Sequence, residues 1–113
     1  MKKKLPSRYE KFRKDFPAVM DAYEKLGKNC IGAGPLSKKE CALVKLGIAV
    51  GAGHEGAVHA HTRRALEAGI KPSEIKHAVL MATTTIGFPR MMAALSWADD
   101  VLCKCECGCD SKK

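Results

Sequence analysis

The chain has 113 residues, a formal net charge of +8 and a sequence pI of about 9.3. This length predicts one domain with a small core, a size that often gains stability by self-association. Hydrophobic residues make up 46% of the chain but aromatic residues only 5%, which favours close-packed helices. No apolar run follows the N-terminal lysines or approaches the ~20 residues that span a bilayer, so we expect a cytoplasmic protein with no membrane partner.

Lysine and arginine are dense in an N-terminal arm, residues 1–27. Such an arm could contact nucleic acid. It carries no recognised nucleic-acid-binding motif, and charged segments are usually solvated. We therefore do not expect nucleic acid as a partner.

Helix-start and helix-stop residues divide the first half of the chain. A basic helix is predicted over residues 7–14, and Pro17 fits the first turn of a second helix, which Gly27 can end. Residues 28–36 hold small breakers and a proline, so they are predicted to form a loop.

The next helix is predicted over residues 38–52. Ser37 and Glu40 have the spacing of a capping box at its start. The helix is apolar almost all round, which predicts that it is central and buried.

Three further helices are predicted over residues 54–68, 72–86 and 89–102. Gly69 and Gly87 are placed to end the first two. No strand-like alternation of polar and apolar residues is present. The sequence therefore predicts an all-α fold, with one domain over residues 1–102 and a Cys-rich tail over residues 103–113.

Three of the four histidines lie in the predicted helix 54–68. At about 100° per residue, His54 and His61 share a face but lie about 10.5 Å apart along the axis, too far to bind one metal ion directly. His59 and His61 point to different sides. Glu55 and His59 have the i,i+4 spacing of an ordinary surface pair, so no metal site built by this helix alone is expected.

Two charged or titratable side chains stand out on apolar surfaces. His61 shares a face with Val58 and Ala65, so it should point at neighbouring helices, either to transfer protons or as a hydrogen-bonded core histidine. Lys45 is the only charge in residues 41–53. Burying an ammonium group is costly, so Lys45 either binds a substrate carboxylate or extends to water.

The six cysteines fall into two groups. Thiolates favour Zn²⁺, Cu(I) or iron–sulfur clusters, so the tail either binds a soft metal or is a flexible reduced segment. No other cofactor is expected. Cys30 and Cys41 are either a redox pair or inert thiols. The cysteines of the tail are Cys103, Cys105, Cys107 and Cys109.

Residues 36–101 resemble the carboxymuconolactone decarboxylase family, which includes the alkylhydroperoxidase D-like proteins. The matching pattern is HEGxxxxHxxxALEAG, which begins at His54, with a PSEI helix start and a Gly-Phe-Pro corner after it. The resemblance implies an all-α bundle around a central helical hairpin. It also implies homo-oligomers, commonly trimers or hexamers, with active sites near subunit contacts.

The family has two chemical branches. Peroxidase-like members carry a glutamate, a Cys-x-x-Cys pair and a histidine. Here only the histidine matches, as His61, because His54 and Ala57 hold the cysteine positions and Ala42 the glutamate position. Glu55 and His61 are similar to the decarboxylase-like branch, whose reference activity is cofactor-free decarboxylation of a carboxylated muconolactone.

The resemblance thus implies acid–base chemistry on a small carboxylated or lactone substrate. Its candidate catalytic residues are His61, His54 and Glu55, and Lys45 is the candidate substrate-binding residue. Two alternatives stay open. One is a peroxiredoxin-type thiol peroxidase that uses Cys30 and Cys41. The other is a non-catalytic metal-binding or thiol-buffering protein that acts through the tail.

Overall fold

The computed structural model describes residues 7–105. Within this range the chain forms six α-helices and one 3-10 helix and has no strand, which confirms the all-α prediction. The chain divides into two compact units, Met1–Pro35 and Leu36–Lys113. The assignment of residues 1–102 to one domain stays a prediction.

The first unit contains α1 (Ser7–Asp15) and α2 (Pro17–Gly32), which pack against each other. An ion pair between Arg13 and Glu24 joins the two helices. The rings of Phe12 and Phe16 lie 5.2 Å apart between centroids.

The loop predicted over residues 28–36 is wrong in its first part, because α2 continues to Gly32. One glycine costs a helix only about 1 kcal/mol relative to alanine, which is too little for Gly27 to end it. The helix ends before Pro35, which lacks the backbone N–H that a continuing helix would need.

The second unit holds the remaining helices. Ser37 begins the first of them as predicted: its Oγ accepts from Glu40 N at 3.1 Å, and its own N–H donates to Glu40 Oε1 at 2.8 Å. The elements are α3 (Lys38–Ala52), α4 (Glu55–Glu67), α5 (Pro72–Leu80), the 3-10 helix η1 (Met81–Thr84) and α6 (Phe88–Cys105).

The single helix predicted over residues 72–86 is divided in the structure. α5 ends at Leu80, and η1 follows. Consecutive β-branched threonines have low helix propensity, and the Oγ1 of Thr85 donates to the carbonyl of Met81 at 2.9 Å. Gly87, at φ 104°, then reverses the chain into α6, a conformation that favours glycine.

α3 and α4 form a helical hairpin. Gly53 ends α3 in the left-handed region, at φ 68°, and its N–H donates to the carbonyls of Ala49 and Val50. Only Gly53 and His54 lie between the two helices, so α4 turns back and packs against α3. The hairpin brings the side chains of Lys45 and His61 into the same region.

The core of the second unit lies between α3, α4, α5 and α6. α3 is less buried than predicted, since Val44 is 49% exposed and Ile48 is 66% exposed. The apolar sequence of α3 therefore did not indicate which faces of this helix the neighbouring helices cover. The buried apolar side chains are Leu46, Ala49, Val50, Val58, Ala65, Ile70, Ile75, Val79, Ala82, Met91, Ala94, Ala98 and Leu102.

Candidate functional site

His61 is half-buried on α4, so part of its side chain is accessible. Burial lowers the pKa of its imidazole below the ordinary value of 6.5, and the positive charges of Arg64 and Lys45 lower this pKa further. The imidazole is therefore mostly neutral at pH 7. Within residues 7–105 it makes no hydrogen bond, so it does not have the partner of a hydrogen-bonded core histidine.

Two cations accompany His61. Lys45 is half-buried on α3, and Arg64 follows His61 by three positions, about one turn of α4. Both act on His61 strongly enough to lower its pKa. A neutral base beside two positive charges suits an anionic substrate, because the cations attract it and stabilise negative charge that develops on it. We call His61, Lys45 and Arg64 the hairpin site.

His54 serves as the N-cap of α4. Its Nδ1 accepts a hydrogen bond from the backbone N–H of Ala57 at 3.1 Å, and its ring is exposed. Ser, Thr, Asn and Asp usually fill this position, because they satisfy one of the free N–H groups at a helix start. The structure therefore places His54 in a structural role, and its catalytic role stays a prediction.

Glu55 lies apart from His61 on α4. The two are six positions apart, which is about 240° around the helix axis. Its carboxylate instead faces His59, with 3.9 Å between Oε2 and Nε2. The i,i+4 pair predicted from the sequence is thus present, and the catalytic role of Glu55 stays a prediction.

Asp100 joins this pair from α6. Its Oδ2 lies 3.0 Å from Nε2 of His59, and one ligand atom each of Glu55, His59 and Asp100 lies within 4.8 Å of the others. We call these three residues the α4–α6 cluster. Asp100 was not predicted from the sequence, because it is 41 positions from His59 and only the packing of α4 on α6 brings them together.

A shallow groove of about 280 Å³ lies between α3 and α5. Its polar lining residues are Lys39, Glu74 and His77, and none of the predicted site residues lines it. No sequence motif indicated this surface. Its apolar lining residues are Leu43, Ile70, Ala78 and Met81.

The two cysteines proposed as a redox pair lie in different units. Cys30 is exposed on α2 and Cys41 is half-buried on α3, and both are free thiols. Cys103 is exposed on α6. Cys105 ends α6, and the metal site predicted on the tail lies partly outside the described residues, because Cys107 and Cys109 follow them.

Fold and site together define an all-α protein built on a helical hairpin that carries a half-buried histidine. The model of the carboxymuconolactone decarboxylase family matches residues 17–100, well over half of the chain. The chain therefore belongs to the carboxymuconolactone decarboxylase family, as its motif predicted. The match also takes in α2, which precedes the segment that carried the resemblance. Comparison with curated proteins and with solved structures found no match.

No helix within residues 7–105 has both the length and the apolar character needed to cross a membrane.

Proposed function

We propose that this protein catalyses acid–base chemistry without an organic cofactor on a small carboxylated or lactone substrate. The observation that carries the proposal is the environment of His61, a half-buried imidazole with no hydrogen bond and with a pKa lowered by burial, Arg64 and Lys45. Membership of the carboxymuconolactone decarboxylase family supports the choice of substrate class.

The hairpin site can support the loss of CO₂ from a carboxylated lactone. The carboxylate binds beside Lys45 and Arg64, and its negative charge offsets theirs, which raises the pKa of His61 and lets the imidazole take a proton from solvent. The C–CO₂ bond then breaks, and its electron pair moves into the conjugated carbonyl to give an enolate. The cations stabilise the enolate, and the imidazolium donates its proton to carbon.

The loss of binding in a Lys45→Met variant should depend on whether the bound compound carries a negative charge. A charged hydrogen bond contributes about 1.5–3 kcal/mol, so we expect KM for a carboxylated lactone to rise by about tenfold or more. The inhibition constant of its uncharged methyl ester, measured by competition, should change little. Steady-state kinetics and competition assays on both compounds check this.

The matched control is Lys38→Met, the same substitution at the exposed first residue of α3. It should leave both constants unchanged. Equal losses for the acid and the ester in Lys45→Met, or no turnover of any carboxylated lactone by the unaltered protein, would contradict the proposal.

We propose in addition that the protein is a homo-oligomer. Val44 and Ile48 are both exposed on α3, at 49% and 66%, and lie four positions apart, so they share one apolar face. Exposed apolar faces of this kind are typical of subunit contacts. The family implies trimers or hexamers with active sites near such contacts.

An Ile48→Lys variant should dissociate the oligomer. A lysine at a subunit contact would be desolvated on assembly, which is costly. Sedimentation velocity should then show a smaller species than the unaltered protein, whereas Ser73→Lys, exposed on α5, should leave the assembly intact. A monomeric unaltered protein would disprove the oligomer.

The two alternative functions stay predictions. A thiol peroxidase would need a reaction between Cys30 and Cys41, which lie on helices of different units. The metal-binding alternative depends on the tail, which lies mostly outside residues 7–105.

A further inference from the structure

We propose that Glu55, His59 and Asp100 form a binding site for a divalent transition-metal ion, of which Zn²⁺ is the best match. The site combines an i,i+4 pair on α4 with one carboxylate from α6. It lies on a different side of α4 from His61 and is independent of the proposed function.

The spacing of the donor atoms suits one metal ion. Zinc binds imidazole nitrogen and carboxylate oxygen at about 2.0–2.2 Å, so two of its ligand atoms lie roughly 3.0–3.6 Å apart. The Nε2 of His59 lies 3.0 Å from Asp100 Oδ2 and 3.9 Å from Glu55 Oε2. All three ligand atoms lie within 4.8 Å of one another, so the exposed carboxylate of Glu55 has to move closer to His59 to share one ion.

The charges of the cluster also suit a cation. Within residues 7–105 neither Glu55 nor Asp100 forms an ion pair with lysine or arginine, although the chain carries 20 such residues. The neighbouring Asp99 does have a cation, with 3.9 Å between its carboxylate and the ammonium of Lys76. Two carboxylates that share one imidazole leave negative charge, which a divalent ion neutralises.

The packing of α4 and α6 restrains the side chain of His59, the central ligand of the proposed site. The side chain of His59 is only 27% exposed, whereas those of Glu55 and Asp100 are 58% and 56% exposed. The ring is therefore held between α4 and α6, and the carboxylates leave a path for the ion and for water ligands. A metal ion bound at Nε2 would take the place of the hydrogen on that nitrogen, and the neutral ring would then carry its one N–H on Nδ1, the displaced hydrogen passing to solvent or to Nδ1.

The competing soft ligands of the tail must be removed before the test. We would use the full chain with Cys103, Cys105, Cys107 and Cys109 all changed to serine, and titrate it with ZnCl₂ at pH 7 in a calorimeter. We expect saturable binding of one Zn²⁺ per chain. His59→Asn and Asp100→Asn, each made in this background, should weaken binding by at least tenfold.

The matched control is His77→Asn, the same substitution at an exposed histidine on α5, and it should leave binding unchanged. Far-UV circular dichroism checks that each variant keeps its helices. If His59→Asn does not fold, Glu55→Gln at the exposed position decides, with weakened binding expected. No saturable binding, binding that the cluster variants leave unchanged, or binding that needs the tail cysteines would each overturn the proposal.

Discussion

Replacing His61 by glutamine should lower the turnover of a carboxylated lactone by about 10²- to 10⁴-fold, the usual contribution of general acid–base catalysis. Glutamine keeps a polar side chain of similar length but cannot take up and release a proton. We expect the loss in kcat rather than in KM, because Lys45 and Arg64 still bind the carboxylate. Steady-state kinetics check this.

The control is His77→Gln, which changes an exposed histidine on α5 and should keep full turnover. Full turnover in the His61 variant would exclude that residue as the proton donor. A loss in both variants would indicate damage to the fold rather than to the site.

The protonation of His61 offers an independent readout. Its pKa lies below 6.5 because of burial and of the charges of Arg64 and Lys45. Removing one positive neighbour must raise this pKa, so Lys45→Met should shift the NMR titration of His61 to higher pH, and a bound carboxylate should do the same.

The lowered pKa of His61 also makes folding stability depend on pH. The folded state should lose stability as pH falls from 6.5 to the folded pKa of His61, because the unfolded chain binds the proton more readily in that range.

Replacing Leu46 by alanine should reduce the free energy of unfolding by about 2–5 kcal/mol. Leu46 is 0% exposed in the core of the second unit, so the change removes buried methyl groups and leaves a cavity. Urea denaturation followed by circular dichroism measures the loss.

Leu36→Ala deletes the same atoms at a side chain that is 51% exposed, just before α3. It should cost less than about 1 kcal/mol, because little apolar surface returns to water. Similar losses in the two variants would show that the core does not depend on Leu46 as the structure indicates.

The placement of His61 shows what helical geometry can predict. Its position relative to the apolar residues of α4 pointed it towards neighbouring helices, and the structure finds it half-buried with a lowered pKa. Lys45 was singled out because it was the one charge in an apolar segment, and it acts on His61 from α3. Both residues were singled out from patterns within one helix, but the packing of α4 on α3, which spacing does not determine, brings Lys45 towards His61.

Other features could not be predicted from the sequence, because they depend on energies or contacts that involve more of the chain than one short segment. Gly27 could not end α2, since its small intrinsic cost is outweighed by the rest of the helix. The exposed side of α3, with Val44 and Ile48, depends on which helices cover it. His54 stands where peroxidase-like members of the family have a cysteine, and no sequence signal indicated that its ring would cap α4.

The sequence by itself determined the helical class, the capping box at Ser37, the family and the face that His61 presents. Each of these rests on local propensity, on periodicity or on a contiguous motif. Only the tertiary structure decided that Asp100 meets His59 and that Glu55 lies in that cluster rather than beside His61. The physical reason is that the packing of α4 on α6 joins residues far apart in sequence, and no local pattern encodes that contact.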